Sequence, residues 1–169
     1  ASSLVLLDDH FASIVAGMRS GRRIFDNLQK AMSYIIAIHI PIIGLTLLPA
    51  AFSSLPLILM PLHIVFMELI IDPVCSIAFE YEQEEKGSMQ RPPRNYNEKF
   101  FGGKKMAWSV IKGFLLLFMV LVIYFNSINE GHSAGEVRAI TFCALIIGNM
   151  LLILTELSKT RSFLAVFSE

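Results

Sequence analysis

The chain has 169 residues, of which 54% are hydrophobic and only 17% are charged, with Lys+Arg and Asp+Glu balanced at 14 each. About a quarter of an ordinary soluble domain is charged, so this composition, with a mean hydropathy of +0.61, argues against a soluble domain with a merely apolar core and predicts a lipid-facing surface. The neutral balance says nothing of a nucleic-acid partner, and with no long basic stripe interleaved with aromatics none is expected.

In chain order, the first segment is residues 1–30. Ser3-Leu4-Val5-Leu6-Leu7 reads as an apolar strand ending at Asp8-Asp9. Ile14, Val15, Met18, Ile24 and Leu28 then recur at helical spacing. They predict a cytoplasmic helix that starts near Phe11 and runs on into the first span. The alternative is an amphipathic helix lying on the membrane. The chain opens in mid-strand without Met, and no basic region precedes a short apolar core as in a signal peptide. A piece of a longer protein is the expectation.

Residues 31–67 contain no Asp, Glu, Lys or Arg. At about 1.5 Å per residue, one straight helix through that gap overshoots a hydrocarbon core of about 30 Å. It must turn, and Phe52-Ser53-Ser54-Leu55-Pro56 is the place. Spans are predicted over 32–52 and 57–79, joined by a tight hairpin. Residues 80–107 form a polar connector. Two further charge-free gaps, 113–129 and 139–155, each match the ~17–25 residues of a spanning helix. The turn Glu130-Gly131-His132-Ser133-Ala134-Gly135-Glu136 separates them. The predicted fold is therefore an all-α membrane protein with four transmembrane helices in two hairpins: 31–79 with the ion site, then 108–157, then a tail over 158–169. Cys75 and Cys143 lie in apolar runs without metal-ligand neighbours and read as small, reduced, buried side chains.

Basic residues set the orientation. Arg19, Arg22, Arg23 and Lys30 precede the first span. Lys86, Arg91, Arg94, Lys99, Lys104 and Lys105 fill the middle loop, and Lys159 and Arg161 follow the last span. The hairpin turns have none, although Arg138 lies just inside the fourth span. The positive-inside rule puts both ends and the middle loop in the cytoplasm, and the plasma membrane is the expected location.

Glu68 and Asp72 are the residues that need explaining. Glu68 lies near the middle of the second span, where an ionisable side chain costs about 2.5–3.5 kcal/mol on insertion scales. Residues at i and i+4 share one helical face. Like charges there repel, and a cation between them removes the repulsion while using their oxygens as ligands. Pro73 lacks an N–H and meets the carbonyl of Leu69, so a break or unwinding is expected there, with freed carbonyls turned toward the ion. Pro41 does the same to Ala37, beside His39. Against this stands a proton-sharing pair that only ties helices together. His39 and His63 are more simply helix–helix hydrogen bonders. Asn149 is deep enough to contribute, while Glu156 is at the interface.

Four stretches resemble the P-type cation-transporting ATPases, close to the calcium pumps. Leu6-Leu7-Asp8-Asp9 with Phe11, Ser13, Ile14 and Val15 resembles the end of their phosphorylation domain. Gly21-Arg22 with Ile24 and Asn27 resembles the stalk entering their fifth transmembrane helix. The run 61–72 resembles their sixth helix, and Met89-x-Arg91-Pro92-Pro93-Arg94 the cytoplasmic loop after it. The last two spans would be helices seven and eight, on hydropathy alone. The resemblance implies that Asp72 is the family's most regular acidic ligand. Glu68 stands where its calcium and sodium–potassium pumps have Asn and Asp. Asn149 and His39 stand where the eighth and fifth helices offer side-chain ligands. Ile42, Ile71 and Pro73 depart from the calcium-pump pattern of Glu, Thr and Gly.

The implied function is the ion-binding part of an ATP-driven pump for calcium or another divalent cation, working by alternating access. The phosphorylated Asp motif and nucleotide site are not in these residues. ATP and Mg are therefore expected to act only through other domains of the parent, and the piece alone should be inactive. Its expected partners are the bilayer and those other cytoplasmic and transmembrane domains. The rival is a non-enzymatic four-span protein, a small channel or assembly subunit.

Overall fold

The computed structural model describes residues 10–85, 87–93 and 100–157, with Asp72 described by its backbone alone. It contains four α-helices: α1 (Phe11–Ala51), α2 (Pro61–Glu80), α3 (Gly103–Asn129) and α4 (Ala134–Leu157), with a short 3-10 helix at Ser88–Gln90. All four are long and apolar enough to cross a membrane, as the charge gaps predict. Among the described residues there is no strand; the strand expected over 3–7 and the tail 158–169 lie outside them.

The 41 residues of α1 extend for about 60 Å, roughly twice a hydrocarbon core. The predicted cytoplasmic helix and first span are thus one continuous rod. Its buried residues Tyr34, Ala37, Ile38, Pro41, Ile42, Leu45 and Pro49 follow the 3–4 spacing of one helical face. α1 packs against each of the other three helices. α2 meets α1 and α4 but, among the described residues, not α3. Met67, Ile71, Cys75 and Phe79, four apart, are the buried face of α2. Phe114, Leu115, Phe118 and Met119 of α3 and Leu62 and Leu69 of α2 point outward. An outward apolar face is stable only where the solvent is lipid.

Gly113 explains how closely α3 approaches α1. A Cβ at this buried position would collide with the carbonyl oxygen of Ala37 and come within 2.6 Å of the Ile40 side chain. Pro41 deprives that same carbonyl of its usual amide donor. The oxygen freed by Pro41 therefore faces the backbone of α3.

Three expectations change in detail. The first connection is not tight, since residues 52–60 link α1 to α2, and α2 starts at Pro61. Met60 is extended, with ψ 159, as the residue before a proline prefers. Tyr124 Oη donates to Pro56 O at 3.1 Å and Arg138 Nε to Leu57 O at 3.0 Å, so the connection is bonded to the second hairpin. The helix α2 runs unbroken across Pro73. A single proline removes one backbone bond, and the bonds on either side hold the helix together. Cys75 is buried, but Cys143 is exposed on the outer face of α4.

Helices also outlast the charge gaps that announced them. α4 begins at Ala134 because Ser133 and Glu136 bond reciprocally. The Ser133 N–H donates to Glu136 Oε2 at 2.8 Å, and the Glu136 N–H reaches Ser133 Oγ at 3.4 Å, a capping box. Gly131, at φ 80, takes the left-handed turn before it.

Candidate functional site in the membrane

Glu68 faces α1. Its Oε1 lies 3.9 Å from His39 Nε2, and the two side chains are 38% and 44% exposed. The other ring nitrogen of His39 is 2.7 Å from the carbonyl oxygen of Ile35, one turn back on α1. A carbonyl only accepts, so His39 Nδ1 is the donor and carries the proton. Asp72 follows Glu68 by one turn of α2; its side chain is not among those described. Among the described residues no three His, Cys, Asp or Glu side chains converge as a metal cluster.

One turn along α1 and α2 from that pair lies a cavity of about 40 Å³ between α1, α2 and α4, lined by Tyr34, Met67, Ile71, Val74, Asn149 and Ile153 among others. Tyr34 is fully buried and Asn149 is 6% exposed. Neither Tyr34 Oη nor Asn149 Oδ1 has a hydrogen-bond partner among the described residues. Leaving such an atom unsatisfied costs about 1–3 kcal/mol. The surface of the cavity itself is apolar, so the two oxygens are buried beside it rather than opening into it. Sequence reasoning singled out Asn149 but missed Tyr34, which reads there as one more apolar-face residue. Its position four before Ile38 on the buried stripe was the available signal.

The remaining candidates resolve into structure. His63 Nδ1 accepts from the Met60 N–H at 3.3 Å, and its ring meets Phe142 at 4.8 Å. It thus caps α2 and packs on α4. Glu156 is 3% exposed and pairs with Lys112 of α3.

At the same end of the bundle, the loop after α2 is bonded to α1. Arg22 Nη1 donates to Ser88 O at 2.5 Å and to Arg91 O at 2.8 Å. Asn27 Nδ2 donates to Glu82 O at 2.9 Å, and Arg91 pairs with Asp26 at 2.7 Å. Lys30, 1% exposed, lies 2.7 Å from Glu85 Oε1 and donates to Leu157 O at 2.8 Å. Read from sequence, Lys30 was one more cytoplasmic positive charge. It is in fact the junction of α1, the loop and the end of α4.

Four helices long and apolar enough to cross a membrane, with apolar side chains turned outward, define an integral multi-pass membrane protein. The family signature "Cation transporting ATPase, C-terminus" matches residues 56–168, and the chain belongs to that family. It is similar to the calcium-transporting ATPase of Bacillus subtilis (strain 168), with 32% identity over 96% of this chain and 18% of that protein. It is also similar to the sodium/potassium-transporting ATPase subunit alpha of Drosophila melanogaster, with 37% identity over 72% of this chain and 12% of that one. The chain therefore spans less than a fifth of the length of these relatives.

Proposed function

We propose that this chain is the ion-binding membrane portion of an ATP-driven pump for calcium or another divalent cation. Glu68 and Asp72 of α2 would be its principal ligands, and His39 and Asn149 would complete the set from α1 and α4. The observation that carries this is Glu68 itself. It is a carboxylate in the middle of a membrane-spanning helix, aimed at His39 on a neighbouring helix rather than drawn toward an interface. Two buried oxygens without a described partner, Tyr34 Oη and Asn149 Oδ1, support further polar groups between α1 and α4. Pro73 leaves the Leu69 carbonyl without its amide donor, a further oxygen beside the acids.

The half-exposed pair needs cover in a bilayer. Further transmembrane segments of the longer protein would supply it, and the cytoplasmic domains would supply ATP, Mg and the phosphorylated Asp. The chain alone is expected to hydrolyse no ATP. In the cycle, α1 would transmit the movement of the phosphorylation domain. The loop bonded to it through Arg22, Asn27 and Lys30 would carry that movement to α2. Vectorial transport requires the two states to bind the ion with different free energies. Both ends of the chain would be cytoplasmic and the membrane the plasma membrane, on the distribution of Lys and Arg.

The test is cation-dependent phosphorylation of the full-length protein. Asp72→Asn is expected to abolish it, and Glu68→Gln to raise the cation concentration needed at least tenfold. Normal cation-dependent phosphorylation in Asp72→Asn refutes the assignment, and unchanged affinity in Glu68→Gln makes that residue structural.

A further inference from the structure

We infer that Tyr124 of α3 and Arg138 of α4 are positioning residues for the proposed cation site: together they fix the start of α2 to the second hairpin and so hold Glu68 in place against α1. This rests on the pump reading and adds residues far along the chain from the acids themselves.

Arg138 is out of place by sequence alone. It is the only Lys or Arg between Lys112 and Lys159, and there is none between Lys30 and Lys86. Its Nε donates to the Leu57 carbonyl at 3.0 Å. A charged donor on a carbonyl makes a stronger bond than a neutral one. Tyr124 is fully buried, and its hydroxyl donates to the neighbouring carbonyl, that of Pro56, at 3.1 Å. Both carbonyls belong to the connection 52–60, which is not helical, so their partners must come from elsewhere. Between these bonds and Pro61, Ile58 and Leu59 are only 1% and 7% exposed. The connection is thus packed as well as bonded, and α2 begins from a fixed point. Phe142 of α4 extends the hold into the first two turns of α2, with its ring 4.8 Å from that of His63 and 6.2 Å from that of Phe66.

The opposite end of α2 is held by a different partner, α1. Asn27 Nδ2 donates to Glu82 O at 2.9 Å, and Lys30 lies 2.7 Å from Glu85 Oε1. Glu68 is between the two holds, on a helix that among the described residues does not touch α3 directly. If the start of α2 is released, Glu68 stands in register with α1 for only part of the time. The apparent affinity for the cation then falls by that fraction. Saturating cation restores the competent population, so the defect belongs to half-saturation and not to the maximum.

The experiment is cation-dependent phosphorylation of the full-length protein, with calcium chloride and manganese(II) chloride titrated separately. Arg138→Ala combined with Tyr124→Phe is expected to raise the half-saturating concentration at least tenfold and to leave the maximal level within twofold. Arg138→Lys, which keeps a charged donor, should shift it less than threefold. A covalent bridge gives a second test. With Cys75 and Cys143 replaced by Ala, Leu57→Cys with Arg138→Cys should bind the cation weakly, and a short bifunctional thiol reagent should restore both affinity and turnover. Unchanged half-saturation in the Ala/Phe double variant overturns the inference and leaves the pump assignment standing. So does a loss confined to the maximal level, which is the mark of misfolding. A bridged protein that is phosphorylated but no longer turns over shows that the connection must move, and overturns the inference as well. Phosphorylation that no cation stimulates in the unsubstituted protein overturns both.

Discussion

Tyr34 is among the largest fully buried side chains in the described bundle, and its hydroxyl has no partner there. A hydroxyl kept dry and unbonded destabilises the protein by about 1–3 kcal/mol. Tyr34→Phe should therefore stabilise the cation-free full-length protein by about 1 kcal/mol, measured as a higher Tm in detergent. A fall in Tm would mean that the hydroxyl has a partner in the full-length protein. Not all polar side chains in these helices are of this kind. Glu156 and His63 are already paired, with Lys112 and with the Met60 amide. Tyr34 Oη and Asn149 Oδ1 stand out because neither has a hydrogen-bond partner among the described residues.

At the scale of elements, the contact between α1 and α3 has the least room for change. A methyl at Gly113 would strike the Ala37 carbonyl, which is backbone and cannot rotate away. Gly113→Ala should destabilise by about 1–3 kcal/mol through overpacking. Gly17→Ala is the control. It lies in α1 with nothing within 4 Å of the added methyl, so it should gain up to about 1 kcal/mol of helix propensity. Thermal unfolding of the two variants side by side checks both signs; equal effects would show that α3 does not approach α1 at Gly113.

For the whole molecule, the open question is which way the bundle faces. The end that holds Lys30, Lys112, Glu85 and Glu156 is tied together by ion pairs in which Lys30 and Glu156 are buried. The other end is closed by the capping box at Ser133 and by the bonds from Tyr124 and Arg138 to the first connection. With Cys75 and Cys143 replaced by Ala, a membrane-impermeant thiol reagent should label Ser133→Cys on intact cells. Ser20→Cys should react only after permeabilisation. The reverse pattern would overturn the cytoplasmic placement of the ends.

Several features could be read without any structure. Four spans, the continuation of the first helix from near residue 11, and the intramembrane acids all follow from charge-free gaps and helical spacing, because the hydrocarbon core imposes a length and forbids bare charge. The family resemblance was equally legible, carried by motifs in order along the first half of the chain. Helix ends were misjudged wherever capping, not hydropathy, decided them, as at Pro61 and at Ser133 with Glu136. The unbroken α2 was misjudged because one missing amide does not undo the bonds around it.

By itself, the sequence determined four helices long and apolar enough to cross a bilayer and an acid within the second of them, since those properties depend only on local length and polarity. Only the tertiary structure decided that His39 is the residue Glu68 faces, that Tyr34 joins Asn149 at one cavity, and that Lys30 is a junction rather than a surface charge. Each of these depends on how separate helices rotate and slide against one another. That is set by close packing at contacts such as Gly113 against Ala37, which no single helix specifies.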